Sequence, residues 1–314
     1  MTAVLSSPRE QWLLARRECL GASDVAAVLG VDPRRGPLAV YASKVGDVDA
    51  DETRWMRWGR LVEGAIAEGY SEQTGRPIAD LGAHEIQKHP DVPFLGATLD
   101  RVTSPSELNP GPAAINCGQD GLYAVPLECK AVAGFKAKEW AEDPPLHFQV
   151  QLQAQLACTG AQWGSLVALI GGLAIAWKDM LRDDELIAGM LPKLEEFWLR
   201  VQRRQPPEAD GLPGTGAAIK KLWAHEDGET VALDGEALAL AEKLDVARAE
   251  EKAASRRALD AENKLRARMG SASFGLMLDG SFLGLREVAR AGYSVDPTSY
   301  RVLRRFSPRI RRRA

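Results

Sequence analysis

The spacing of apolar residues divides the chain into helical and extended stretches. Ile66, Ala67 and Tyr70 fall three, four and seven places after Glu63, which is one face of a helix over residues 58–74. Gly75 and Pro77 end that helix. Shorter helices are predicted over 12–18 and from Val25, the second entered through Ser23 or Asp24 as N-cap and stopped at Gly30. Residues 83–89 and 94–102 read as strands. A Pro/Gly/Asn-rich loop over 103–121 separates them from a strand over 122–132. A helix then runs from Pro144-Pro145 to Thr159. Strands over 165–170 and 173–178 flank Gly171-Gly172, a two-residue hairpin signal, and 183–204 is helical in spite of Pro192.

This order predicts an α+β core over residues 1–205, a central mixed sheet flanked by helices rather than regular βαβ repetition. Residues 206–216 are a linker by composition. Residues 217–314 form an extension, with a long helix or helical pair over 234–269, a small hairpin at Asp279-Gly280 and a basic tail.

Composition narrows the class. A chain of 314 residues, 45% hydrophobic and with 8 Trp, is long enough for one large buried core plus an appendage. No run approaches the roughly 18 apolar residues of a membrane span. The opening MTAVLSSPREQW lacks the basic end and apolar stretch of a signal peptide, so a cytoplasmic location is expected. Cys19, Cys117, Cys129 and Cys158 form no CxxC pair, which disfavours a zinc ribbon, an iron–sulfur cluster and a disulfide framework. His84, His89, His147 and His225 form no HExxH motif and no tight cluster. Any metal should therefore be a hard cation held by carboxylates. The net charge is −3, but seven arginines and no acid follow from Arg301 onward, leaving 33 basic against 43 acidic side chains before it. That tail is either a phosphate-contacting arm or a solvated end.

The candidate chemistry lies at Asp100, Glu128 and Lys130. Alternate residues of a strand share a face, so Glu128 and Lys130 point one way while Leu127 and Cys129 face the core. The strand ending at Asp100 can pair alongside, placing two carboxylates and an ammonium at one sheet edge. Crowded carboxylates repel unless a cation joins them, and Mg²⁺ is bound by one or two carboxylates plus phosphate oxygens. A lysine beside them can orient or deprotonate a water. Taken alone, this spacing is equally that of a surface salt bridge. Glu63 adds weight, because a glutamate on an apolar helix face needs an ion or a partner; a salt-bridged core glutamate is the alternative. In the amide-rich run 147–155, Gln149 borders Leu152 and Leu156 and can reach the sheet, whereas Gln151 and Gln155 read as surface residues.

Six short pieces resemble, in order, the PD-(D/E)XK nucleases of the YqaJ-type viral recombinase family that includes lambda exonuclease. They are Trp12-x3-Arg16, Gly21-Ala-Ser-Asp-Val, Trp58-Gly-Arg-Leu-Val-Glu63, Gly96-Ala-Thr-Leu-Asp100, Leu127-Glu-Cys-Lys130 and Gln149-Val-Gln151. They span about residues 10–205. The resemblance implies a restriction-endonuclease-like core in which Asp100, Glu128 and the backbone carbonyl near Cys129 bind two Mg²⁺ ions, with Mn²⁺ as a substitute. Glu63 would bind or position metal water, Lys130 would activate the attacking water, and Gln149 would hold Lys130 or that water. Arg16 and Ser23 would grip a 5′-terminal phosphate; for Arg16 an ordinary exposed charge is the alternative. The chain departs from the family pattern at Thr98-Leu99 before Asp100, at Arg101 after it, and at Pro126.

The implied activity is degradation of linear double-stranded DNA from the 5′ end, leaving 3′ single strands for phage-type recombination in the host cytoplasm. A single-strand annealing protein and a homotrimeric ring are the implied partners. An endonuclease or end-repair enzyme on the same core is one alternative. A non-catalytic DNA-binding or assembly module is another, although Glu63, Asp100, Glu128 and Lys130 are all present.

Overall fold

The computed structural model describes residues 8–46, 54–82, 84–106, 125–225, 228–289, 292, 303 and 305. Most of the 103–121 loop, Cys117, and the basic tail apart from Leu303 and Arg305 lie outside the described residues. The chain divides into two compact units, Met1–Trp223 and Ala224–Ala314.

The first unit begins with α1 (Pro8–Arg17), β1 (Leu20–Gly21), α2 (Ala22–Val28), α3 (Pro37–Val45) and α4 (Arg54–Thr74). Four short strands follow, β2 (Ile78–Ala79), β3 (Gln87–Lys88), β4 (Leu95–Ala97) and β5 (Arg101–Thr103), and then the long β6 (Val125–Val132). A 3₁₀ turn (Gly134–Lys136) leads into α5 (Ala137–Glu142), α6 (Leu146–Thr159), β7 (Trp163–Ile170), β8 (Ala174–Leu181), α7 (Asp184–Gln202) and α8 (Pro213–Leu222). The second unit holds α9 (Gly235–Met269) and the hairpin of β9 (Phe274–Leu276) with β10 (Phe282–Gly284).

The main sheet has the order β2-β5-β6-β7-β8, and its β6–β7 pair is parallel while the others are antiparallel. On one face Ile66, Ala67 and Tyr70 of α4 pack against Leu127, Cys129 and Val167. On the other, Leu152 and Leu156 of α6 pack against Leu166 and Ala168. Covered on both faces, β6 is buried from Val125 to Cys129, as central strands between helical layers are. A second sheet, β1-β4-β3, carries the N-terminal elements beside this core.

Four local expectations change. The extended run over 94–102 is two strands: β4 pairs with β1 and β3, while β5 crosses into the main sheet, so Asp100 sits at the bend between them. The N-cap of α2 is Gly21. Asp24 stands instead at the third helical position, buried, with Lys44 at 2.8 Å and Arg35 at 3.3 Å. Burial opposes its charge, but those two cations hold the carboxyl well below its usual range. The β7–β8 loop has three residues, since Ile170 pairs with Ala174; Gly171 and Gly172 take φ of 61° and 77°. Finally, α8 starts at Pro213, inside the stretch that reads as a linker. The Gly214 amide donates to the Arg34 carbonyl at 2.9 Å, and a Cβ there would stand 2.7 Å from that oxygen.

One buried ion pair ties α4 to the far side of the sheet. Arg76, just beyond α4, is 1% exposed. It donates to both oxygens of Asp179 on β8 at 2.8 and 2.7 Å and to the Tyr70 hydroxyl at 2.6 Å, over the Trp163 ring at 4.7 Å. Tyr70 Oη in turn lies 2.9 Å from Ser165 Oγ. Removing one partner of such a pair strands the other charge. Arg76→Met should therefore cost about 3–5 kcal/mol, read by denaturant unfolding, and Arg76→Met with Asp179→Asn should recover part of that loss. An Arg76→Met loss below ~1 kcal/mol, the size of an exposed pair, would contradict the clamp.

Candidate active site

β5 and β6 pair only over Arg101↔Leu127, Val102↔Pro126 and Thr103↔Val125. Beyond Leu127 the chain of β5 turns away, and β6 loses its neighbour on that side while β7 still covers the other. The amide of Cys129 is thereby left without a strand partner, and the Asp100 carboxylate takes it, Oδ2 accepting at 2.9 Å. The bend that breaks the expected strand is thus what brings Asp100 beside Glu128 and opens a local sheet edge in the middle of the molecule.

Glu128 is 2% exposed. It points to the α6 side, where Gln151 Nε2 donates to Oε1 at 2.6 Å and Gln155 Nε2 to Oε2 at 2.5 Å. Lys130 Nζ also donates to Oε1 and lies 3.4 Å from Gln151 Oε1, over the Phe148 ring at 4.9 Å. Gln149 takes no part in this cluster: its side-chain amide donates to the Pro144 carbonyl at 2.5 Å. The surface reading of Gln151 and Gln155 is corrected, since Gln155 is 1% exposed and both bond the carboxylate. One signal could have found them. Residues 146–159 contain no Asp, Glu, Lys or Arg, so α6 is buried nearly all round and its glutamines must find internal partners.

Glu63 is half-buried on α4, above Ile66 and Ala67. Burial and the Glu128 charge raise its pKa against Arg101, Lys130 and Arg60. Asp100 is pushed well above the usual carboxylate range by burial, Glu128 and Glu63, with Lys130 and the Cys129 amide pulling the other way. For Lys130 burial opposes the charge, but Glu128 and Asp100 outweigh it and raise the pKa. Burial and mutual repulsion of the carboxylates thus outweigh the pull of Lys130 at both Asp100 and Glu63. Burial and the neighbouring carboxylates push the Cys129 thiol up as well, so it stays neutral within the α4 layer.

A second group lies at the start of α2. Arg16 Nη2 donates to Ser23 Oγ at 3.1 Å, and its guanidinium lies 4.8 Å from the centre of the Trp12 ring. Trp12 Nε1 donates to Thr98 Oγ1 at 3.1 Å, two residues before Asp100. β1 is parallel to β4, pairing Leu20 with Leu95 and Gly21 with Gly96. Ser23, which holds Arg16, and Asp100 thus both follow the C-terminal end of this parallel strand pair.

Residues 11–162 match the model of the YqaJ-like viral recombinase domain. The uncharacterized protein YqaJ of Bacillus subtilis (strain 168) is 30% identical over 225 residues, an alignment that covers 70% of this chain and 65% of that protein. The alkaline exonuclease LHK-Exo from Laribacter hongkongensis, in its complex with dAMP, superposes with a TM-score of 0.50 at 21% identity, covering 68% of this chain and 98% of that one. A further crystal structure of LHK-Exo gives a TM-score of 0.48 at 21% identity, over 62% and 94% of the two chains. The fold is the one seen in LHK-Exo, an α+β core with a central mixed sheet flanked by helices.

The raised carboxyls have a stability consequence. Asp100 and Glu63 favour the fold when protonated, so their contribution is present below about pH 4 and is lost as pH rises through their higher folded-state values. Asp100→Asn keeps an oxygen for the Cys129 amide but removes the repulsion. In metal-free buffer at pH 7 its melting temperature should exceed that of the wild type by a few degrees, with a flatter dependence between pH 4 and 7. A lower melting temperature at pH 7 would overturn the repulsion argument.

Proposed function

Because residues 11–162 match the model of the YqaJ-like viral recombinase domain, we propose that the chain is a metal-dependent DNA exonuclease acting at the Asp100–Glu128–Lys130 cluster. The observation that carries this reading is the local edge of β6. There a buried glutamate, a lysine two residues on and an aspartate from the bend before the neighbouring strand are brought together.

The donors fit a hard divalent cation. Among the described residues no three His, Cys, Asp or Glu side chains converge closely enough to enclose an ion alone. Mg²⁺ does not require that, since it commonly takes one or two carboxylates and completes its shell with water and phosphate oxygens. Asp100, Glu128 and the Cys129 carbonyl would hold it, with Glu63 positioning a coordinated water. Bound there, the metal would neutralise charge on the scissile phosphate and acidify water for in-line attack. Lys130 stays charged and orients the attacking water and the phosphate. Gln151 and Gln155 fix the Glu128 carboxylate, and Gln151 also borders the lysine.

Arg16 and Ser23 supply a guanidinium and a hydroxyl for a 5′-terminal phosphate. A grip there, on the same sheet segment as Asp100, sets the direction as 5′→3′ on linear duplex DNA and leaves a 3′ single strand. The trimeric ring and the annealing protein that receives that strand rest on the family resemblance.

The test is digestion of a duplex labelled separately at each 5′ and 3′ end, with Mg²⁺ or with chelator, beside a covalently closed circle. The 5′ label should be released first, only with metal, and the circle should survive; cleavage of the circle would make the protein an endonuclease. Lys130→Ala should lower kcat by about 10²-fold or more, and unchanged metal-dependent hydrolysis would reject the site. Replacing the 5′ phosphate by hydroxyl should slow wild type by about tenfold, the worth of one charged hydrogen bond, and barely affect Arg16→Ala. Equal slowing of both proteins would remove Arg16 from the phosphate grip.

A further inference from the structure

α9 buries no residue along its length and segregates its charge. From Glu236 to Glu251 there are five acids against Lys243 and Arg248, whereas from Lys252 to Met269 six bases face Asp260 and Glu262. In the acidic half, a shallow depression is lined by Glu242, Glu250 and Lys243 together with Ala239, Val246 and Ala247. The end of the chain has the opposite character. It interleaves Val302, Leu303, Phe306 and Ile310 with seven arginines and has no acid.

Among the described residues a hydrogen-bonded ion pair joins the two. Arg305 Nη1 donates to Asp245 Oδ2 at 2.8 Å, across 60 positions of sequence. The tether does not impose it. At about 3.3 Å per residue the chain from Gly284 to Arg305 can reach about 70 Å, while Met269 back to Asp245 is only about 36 Å of helix. Arg305 meets the acidic half of α9 and not the basic one, the pairing that opposite charges favour.

We propose that the acidic half of α9 is an internal docking surface for the arginine-rich end of the chain, so that DNA phosphate and α9 compete for the same arginines. The competition, though not the docking, rests on the DNA-acting function proposed above. A single pair with both side chains 47% exposed contributes little. The effect is a sum of several arginines against Glu242, Asp245 and Glu250, and it weakens with salt.

The test uses the full chain carrying Glu242→Gln, Asp245→Asn and Glu250→Gln, with Asp260→Asn and Glu262→Gln as a control on the basic half. Both are repeated on a chain cut after Tyr300. Affinity for a labelled duplex is read in chelator at low and high salt. The triple variant should bind several-fold tighter than wild type at low salt, the control should not, and the gain should vanish on the cut chain. A gain that persists without the tail, or equals that of the control, would overturn the proposal. Limited trypsin digestion reads docking without DNA: the tail arginines should be cut faster in the triple variant, and equal rates would overturn the docking. Absence of DNA binding in every form would count against the function, while the trypsin result would still decide the docking.

Discussion

The arrangement around Glu128 is governed by the cost of hiding a carboxylate. An ionised group out of water must be paired and hydrogen-bonded or it neutralises, and Glu128 is 2% exposed. Its two oxygens are met by Gln151, Gln155 and Lys130. Those partners in turn dictate a helix free of charged residues packed on that face of the sheet, with two glutamines one turn apart. Leu127 and Cys129, on the opposite face, need an apolar helix, which α4 provides while placing Glu63 near the same opening. One buried carboxylate in the middle of β6 thus constrains the composition of both helical layers.

The same constraint separates what was legible in the sequence from what was not. The Glu128–Lys130 pair on one strand, the apolar face of α4 and the glycines Gly30 and Gly75 after α2 and α4 are local signals, and they appear where the residues place them. Asp100 was found beside Glu128, but its reason was not foreseeable: a continuous apolar run reads as one strand, and only tertiary pairing divides it between two sheets. Gln149 and Gln151 are two residues apart on one helix, a rotation of about 200°, so choosing between them needs the docking orientation of α6. That orientation is set by the packing of Leu152 and Leu156 on β7, a tertiary contact that helical periodicity does not contain. Asp24 has the look of an N-cap, yet Lys44 and Arg35, brought in by later segments, draw its carboxylate inward.

The second group at α2 shares a rigid mounting with the first. Trp12 is fixed to Thr98, β1 runs parallel to β4, and Asp100 follows that strand directly. Asp24 adds to the rigidity from below, because its pairs with Lys44 and Arg35 lock α2 to α3 and to the loop that precedes α3. Lys44 also donates to the Arg16 carbonyl at 2.9 Å, which holds the end of α1 in register with the start of α2. The distance between a gripped strand end and a reacting phosphate must be fixed to within a fraction of an ångström for efficient chemistry. Two strands and a buried ion pair supply that stiffness better than a loop would.

Charge distribution completes the physical picture. Residues before Arg301 carry 33 basic and 43 acidic side chains, a body that repels a polyanion overall. A nuclease that coated duplex DNA would bind along its length with an affinity dominated by counterion release, and most of its bound copies would sit away from ends. A body with more acids than bases favours the terminus, where a phosphate dianion offers more charge at a single point than any internal phosphate. The acidic half of α9 acts in the same direction, since arginines engaged there are withheld from nonspecific contact. On this view the acids that make the protein look unlike a DNA-binding protein are part of how it would select an end.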